Sequence, residues 1–444
     1  MSGPLKSLMN IRRDELPFSL LMFGYFFLII TTFWILKPLK KGLFIGFYKE
    51  SGGVDLFSWF LLGSQAELLA KVLNMVIAFF AVILFTWLAR KFRRQQLTYI
   101  FSILIVACLV AFSFVISNPG DLTVWSFYLF GDLFNTLMVA TFFAFLNDSV
   151  NASSAKRLYG LVVLGGVTGG VFGTQFVRIW IDDLTMISWL WICLLGTVLI
   201  AVISGIAGRL VPQDNLESIQ QPNQNKDTGS KSNAAIEGAK LVFKSKYLLA
   251  IVGIVGFYEI ISTIMDFQFT ATIEHYLSTE DAISQHFATI FSITNIVALT
   301  VQLFLTSFIM TRLGLTVALL VLPCVIMLGS FSFLAFPILW VGSFLNTADN
   351  AFNYSINQSA KEALYVPTSR DEKYKAKAFI DMFVYRFSKA LAVGVSLIIT
   401  TLFRDFSTIR WLSFITILIV VVWIIVVRFA GNKFNDMTSD NKND

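Results

Sequence analysis

Charged and amide side chains set inside long apolar segments carry the chemistry of this sequence. The first apolar run ends as Phe33-Trp34-Ile35-Leu36-Lys37-Pro38-Leu39-Lys40-Lys41-Gly42, with three lysines in five positions. Further along, polar groups recur at the spacing of one helix face. Glu259, Ser262, Thr263, Asp266 and Thr270 form one such stripe. Asn346, Asn350, Asn353, Asn357 and Lys361 form another. Asp381, Tyr385, Ser388 and Lys389 form a third, with Arg386 beside it. Glu67, Lys71 and Asn74 share a face, and Asp132 with Asn135 or Thr136 begins one more. A lone Ser, Thr or Asn in an apolar helix is ordinarily glue between helices. Several polar groups in register line a solvated path instead, because ionisable groups facing lipid are costly. No nucleophile–base constellation, metal cluster or cofactor fingerprint accompanies them. The reading is fixed charge along a pathway; an enzyme is disfavoured and no cofactor is expected.

The elements that must position these groups follow from composition. The chain has 444 residues, of which 56% are hydrophobic and 14% charged, and a mean hydropathy of +0.72. Soluble domains do not have this balance. Apolar stretches of about 20 residues recur, each long enough to cross a bilayer. The fold class expected is an all-α polytopic membrane protein with 12 spans, near 18–36, 65–89, 97–116, 123–146, 158–180, 187–208, 247–273, 287–310, 315–336, 338–360, 378–402 and 408–429. The first run lacks an A-x-A-like cleavage site and reads as a retained span. The net charge of +6 belongs to the membrane surface, and no nucleic-acid partner is expected. Cys108, Cys193 and Cys324 fall within apolar spans and support neither disulfides nor a zinc site. His275 and His286 read as solvated loop residues.

An even number of spans puts both termini on one side. With Arg12 and Arg13 inside, the cytoplasmic loops hold Arg90 to Arg94, Lys156-Arg157, Arg312, and Lys361 through Lys377. Outer loops such as Ser117 to Asp121 and Ile181 to Asp183 carry no positive charge. The lysines after Trp34 break the rule, because a span ending at Leu36 leaves them on the outer side. The polar stretch Pro212 to Asn233 reads as a flexible linker. The expected organisation is a six-helix half over 1–211, a cytoplasmic linker over 212–244, a second six-helix half over 245–430 and a polar tail over 431–444. The two halves echo each other in their basic loops. This is the layout of a major-facilitator-like transporter, in which substrate lies near the midplane between the halves.

The fifth span carries Gly165, Gly169 and Gly173, a spacing that lets helix backbones approach closely. It is not a phosphate loop, because no Gly-Lys-Ser/Thr tripeptide occurs. Transport must then be driven by a gradient or by exchange, and a bound nucleotide would be cargo and not fuel.

Several pieces together resemble the ATP/ADP translocase (nucleotide transporter) family of plastids and intracellular bacteria. They are Ile35-Leu36-Lys37-Pro38-Leu39-Lys40, Ala155-Lys156-Arg157-Leu158-Tyr159-Gly160, Ile264-Met265-Asp266-Phe267, and Lys361-Glu362-Ala363-Leu364-Tyr365-Val366-Pro367. Lys375-Ala376-Lys377-Ala378-Phe379-Ile380-Asp381 and Ser388-Lys389 complete the set. The resemblance covers nearly the whole chain in order. It implies a 12-helix carrier of nucleotides, often ATP against ADP, in a bacterial inner membrane. It also implies that a few intramembrane charges serve the substrate. The family's lysine after the first span matches Lys40, and its fourth-span acid falls at or one position from Asp132. Its seventh-span acid matches Asp266, and its eleventh-span lysine matches Lys389. Both acids are Asp here where the family has Glu. A basic family position is Thr270 here, the glycines after the eleventh-span lysine are Ala390-Leu391-Ala392, and a usually acidic position is Lys41.

What the resemblance implies agrees with the chemistry of a polyphosphate, whose charge must leave water and be neutralised by cations. The substrate set expected is Lys37, Lys40, Lys41, Asp132, Glu259, Asp266, Asn350, Asn353, Tyr385, Arg386 and Lys389. Phe33, Trp34, Tyr258 and Tyr385 are candidates to stack on a base. In the empty carrier Asp132 and Asp266 are expected to pair with the cations. The partners expected are a nucleotide as cargo and the lipid bilayer, with a monomer as the working state. Proton-coupled import of nucleotides or another organic anion is the first alternative, with Asp132 or Asp266 as the proton site. A membrane scaffold or sensor that has lost transport is the second.

Overall fold

In a computed structural model the apolar runs fold as long helices. The structure describes residues 15–56, 59–150, 152–210, 231–369, 375–402 and 405–440, and excludes the side chains of 152–157, 231–236, 378 and 439–440. Arg12, Arg13, most of the polar linker and Glu372-Lys373-Tyr374 lie outside the described residues, as do the side chains of Lys156 and Arg157.

In chain order the helices are α1 (Leu16–Glu50), α2 (Gly63–Lys91), α3 (Arg94–Val115), α4 (Asp121–Ser149), α5 (Ala152–Trp180), α6 (Met186–Arg209), α7 (Lys231–Lys244), α8 (Lys246–Tyr276), α9 (Glu280–Thr300), α10 (Leu315–Ala335) and α11 (Leu339–Phe352). Then come α12 (Gln358–Ala363), α13 (Lys377–Phe379), α14 (Tyr385–Leu402) and α15 (Arg410–Asp440). Wide π-type turns extend α9 to Leu313, join α11 to α12 through Asn353–Asn357, and precede α14 over Ile380–Val384. A short antiparallel hairpin, β1 (Val54–Leu56) and β2 (Trp59–Leu61), follows α1. Gly52 and Gly53 turn the chain into it with φ of +79° and +138°, which only glycine adopts without strain.

Among the described residues, 11 helices are long and apolar enough to cross a membrane. The segment expected at 338–360 is helical from Leu339 to Ala363. It is interrupted by the π-type turn and carries the polar stripe, so its apolar character falls short of the others.

The first span differs from expectation. The helix does not stop at Leu36 but runs to Glu50. Lys37, Lys40 and Lys41 therefore lie within α1, and Lys40 and Lys41 are buried. They are part of a helix and not of an outer loop. Pro38 sits inside the helix and leaves the Trp34 carbonyl without its usual donor. Two other expectations change. Residues 231–244, taken as linker, form a helix. The histidines are not loop residues: His286 lies in α9, and His275 lies in the last turn of α8 with its ring stacked 3.8 Å from Phe406.

The chain divides into two compact units. The first comprises residues 1–50, 73–225 and 279–292. Its centre is α1, which packs on α4, α5 and α6. Tyr25 and Phe26 meet Phe142 of α4 at 4.9 and 4.7 Å between ring centroids, and the Tyr25 hydroxyl bonds Thr98 of α3 at 2.9 Å. The α1–α5 contact is built on glycine. A Cβ at Gly165, Gly169 or Gly173 would lie 2.6, 2.5 or 2.7 Å from the carbonyl oxygens of Phe23, Phe27 and Thr31, so no larger residue fits. Thr31 donates across this joint to the Gly169 carbonyl at 3.2 Å.

The second unit comprises residues 51–72, 226–278 and 293–444. Here α8 is central and packs on α11, α14 and α15, while α10 lies against α15. Its core includes Ile251, Ile254, Tyr258, Leu322, Ile326 and Trp423. The start of α2 belongs to this unit and is held by Glu274 of α8. The glutamate carboxylate accepts the amides of Gly63 at 2.7 Å and Ser64 at 2.9 Å. An anion at this end satisfies orphan donors and meets the positive pole of the helix.

Candidate functional site

Each unit assembles its own set of cations and carboxylates. In the first unit Lys40 reaches from α1 to α4. Its Nζ lies 2.5 Å from Asp132 Oδ1. Asn74 of α2 donates to the other oxygen, Oδ2, at 2.6 Å. The lysine stem passes over Gly131, where a Cβ would lie 2.7 Å from Lys40 Cδ. The absence of a side chain there opens the route to Asp132. The ammonium also stands 4.4 Å from the Tyr128 ring, a cation–π contact that offsets part of its desolvation. Lys37 lies 4.3 Å from the Trp34 ring and 4.8 Å from the Phe291 ring. Lys41 lies 5.1 Å from Phe287. Phe33 and Trp34, expected to stack on a base, thus line the surroundings of Lys37.

In the second unit two of the paired carboxylates, Asp266 and Glu259, lie on α8. Asp266 takes Lys71 of α2 at 2.5 Å, and Lys71 also reaches Glu67, one turn back, at 3.3 Å. Asn346 of α11 donates to Asp266 at 3.4 Å. Two turns along α8, Glu259 faces Lys389 of α14 at 3.7 Å. Lys389 sits 4.4 Å from the ring of Tyr385, its i−4 neighbour. A buried charge whose partner is removed costs about 3–5 kcal/mol, so these pairings constrain the helices that carry them.

The structure joins Lys40 with Asp132, and Lys389 with Glu259 and Tyr385. Asp266 pairs with Lys71, which the sequence placed on a polar face but not in the substrate set. Asn350 donates to the backbone carbonyl of Asn346 at 2.9 Å, and Asn353 accepts from Asn357 at 2.9 Å. These two serve the irregular helix that holds them. Arg386 is half-buried on α14.

Sequence reasoning missed Asp349. It lies between Asn346 and Asn350 and is 1% exposed. Its Oδ2 accepts from Ser262 of α8 at 2.7 Å, and Ser262 is in turn 3.3 Å from the Tyr258 hydroxyl. The signal was available: Asp349 stands three positions after Asn346, within helical register, but the asparagine repeat drew the stripe past it. Lys71 and Asn74 were visible as one face, and only the fold shows which carboxylates they meet.

These charges sit in a fold that known carriers share. A nucleoside transporter, NupG, superposes with a TM-score of 0.62 at 15% identity, covering 96% of this chain and 99% of its own. A POT family transporter in complex with a thioalcohol-conjugated peptide gives 0.63 at 10% identity, again covering 96% and 99%. At such identities the likeness shows the fold alone, which is of the major-facilitator type. By sequence, the chain is 23% identical over 437 residues to the plastidic ATP/ADP-transporter of Solanum tuberosum, covering 85% of this chain and 69% of that protein. It is 25% identical over 346 residues to ADP,ATP carrier protein 3 of Rickettsia prowazekii (strain Madrid E), covering 68% of each. ADP,ATP carrier protein 2 of Chlamydia trachomatis serovar D is 23% identical over 363 residues, covering 71% of this chain and 66% of that protein. The matches thus span about two thirds of these relatives' length. The profile of the family described as TLC ATP/ADP transporter matches residues 120–339 and 337–434. That is well over half of a chain whose helices are built to cross a bilayer, and this multi-pass membrane carrier, which is not an enzyme, belongs to the TLC ATP/ADP transporter family.

Proposed function

We propose that the chain exchanges nucleotides across a membrane by alternating access, with ATP and ADP as the leading pair. The observation that carries this reading is the Lys40–Asp132–Asn74 group. A buried lysine is held at 2.5 Å by a carboxylate that is itself satisfied on both oxygens. A phosphate group has the charge and acceptor geometry to take the carboxylate's place. Lys389 with Glu259, and Lys71 with Asp266, offer the same exchange in the second unit. In each case an empty carrier keeps its cations neutralised, and substrate releases a carboxylate. Exchange is obligatory if an empty carrier with these pairs closed cannot change access.

The accompanying proposals are 12 spans in two six-helix halves, both termini cytoplasmic, a bacterial inner membrane and a monomeric working state. The twelfth span is the polar segment Leu339 to Ala363.

Purified protein in proteoliposomes tests the reading. Labelled ATP or ADP should enter vesicles preloaded with nucleotide far faster than empty ones, and Lys40→Ala should lose this uptake. Equal uptake into empty vesicles rejects obligate exchange. No binding of any nucleotide rejects the cargo. An absence of flux with every anion tried favours a protein that kept the fold and lost transport.

A further inference from the structure

Asp349 differs from every other carboxylate of the candidate site. Asp132, Glu259 and Asp266 each face a lysine. Among the described residues Asp349 forms no ion pair. It is 1% exposed, and its Oδ2 accepts from the neutral hydroxyl of Ser262 at 2.7 Å. Its Oδ1 is buried without a hydrogen-bond partner. The groups around it are few. On α8 they are Tyr258, Glu259 and Asp266; beyond α11 itself they are Tyr354 and Lys361. Lys389 and Tyr385 of α14 act on Tyr354. The packed helix α10 offers no ionisable side chain except Cys324, which is exposed. Asp349 thus has two acids at its side, both with lysines of their own, while Lys361 acts on it only from beyond ion-pair distance.

A bare carboxylate in this position bears the full cost of desolvation and gains the repulsion of Glu259 and Asp266. A proton removes both. We propose that Asp349 is a proton-binding site, occupied in this conformation, whose proton is exchanged with water during the transport cycle. The proton is taken up from one side of the membrane and released on the other, with no other bond made or broken. The π-type turn at Asn353–Asn357 begins one helical turn after Asp349, and such turns are frequent at functional sites. This assignment rests on the chain being a carrier. It also moves proton coupling away from Asp132 and Asp266, whose lysines already neutralise them.

Infrared spectroscopy of the full-length protein in lipid nanodiscs tests the site without nucleotide. Protein labelled with carbon-13 aspartate should show an isotope-shifted carbonyl band of a protonated carboxylic acid at neutral pH. The band should be lost in Asp349→Asn. Ser262→Ala keeps the carboxyl and should shift the band by removing its hydrogen bond, which guards against a misfolded first variant. A wild type without the band, or Asp349→Asn with the band intact, overturns the assignment. In proteoliposomes an inward proton gradient should raise nucleotide uptake, and a sodium gradient at equal pH should not. Uptake indifferent to protons, or driven by sodium, overturns the coupling. Failure of nucleotide flux alone, with the band present, would count against the cargo and leave the proton site standing.

Discussion

The helices α1 and α8 each lean on a later helix of their own unit, and the two joints are made of opposite materials. Between α1 and α5 the contact is bare backbone, with Gly165, Gly169 and Gly173 seated on the carbonyls of Phe23, Phe27 and Thr31. Between α8 and α14 one feature is a charged pair, Glu259 with Lys389, 3.7 Å apart. Gly256 on this joint would, with a Cβ, meet side chains alone, the Ser388 hydroxyl at 3.2 Å and Val384 Cγ1 at 3.6 Å. A glycine joint has one close-packed arrangement and nothing for a ligand to compete for. A charged joint can be rewritten by any anion that takes the lysine. The difference assigns a clamp to the first unit and a responsive contact to the second, although both units carry lysines paired with carboxylates.

The sharpest way to break this contrast is Gly169→Leu. Its side chain has nowhere to go against the Phe27 carbonyl, and the expected loss exceeds about 3 kcal/mol. It should show as loss of monodisperse protein and of a cooperative melt. A variant that melts like the wild type would mean that the joint is not a clamp. Next in size is Lys389→Met, which takes from the buried Glu259 its ion-pair partner. Breaking a buried pair costs about 3–5 kcal/mol, but this lysine is about a third exposed and the separation is wide, so about 1–2 kcal/mol is expected. Adding Glu259→Leu should return the melting temperature towards the wild type while transport stays lost. If the double variant is no more stable than the single, the glutamate does not depend on that lysine.

Lys40→Gln sharpens the contrast from the other side. Its helix stays clamped by the glycines, and Asp132 keeps Asn74. The melt should fall by only about 1 kcal/mol, while nucleotide affinity falls roughly ten- to hundred-fold, the worth of one charge-assisted hydrogen bond. Isothermal titration beside thermal unfolding checks both numbers. The smallest effect is expected from Gly256→Ala, under about 1 kcal/mol, because the Ser388 side chain can turn away. Thermal unfolding of this variant beside Gly169→Ala, expected to cost about 1–3 kcal/mol, compares the two joints by the same added methyl group.

Much of the fold was legible in the sequence. Runs of apolar residues longer than a bilayer is thick can only be helices, since lipid offers nothing to an unpaired backbone group. The glycine spacing on α5 was legible for a similar reason, because a 3.6-residue period places those positions on one face. Reading failed where charge met apolar sequence. Three lysines after Leu36 look like the end of a span, yet α1 continues through them to Glu50. Lys40 has a carboxylate and an aromatic ring waiting within the fold, and those contacts carry a cost that lipid could not. Asp349 was passed over because an asparagine repeat and a carboxylate look alike as polar spacing.

The sequence by itself determined which residues share a face of each helix, and so that this chain carries stripes of charge through a membrane. That information is local, since one turn of helix relates positions three or four apart. Only the tertiary structure decided that Lys40 answers Asp132, that Lys71 answers Asp266, and that Asp349 has no lysine within ion-pair distance. Those partners stand 92 and 195 residues apart for the two pairs. Their meeting depends on how whole helices pack, which no spacing along one helix encodes.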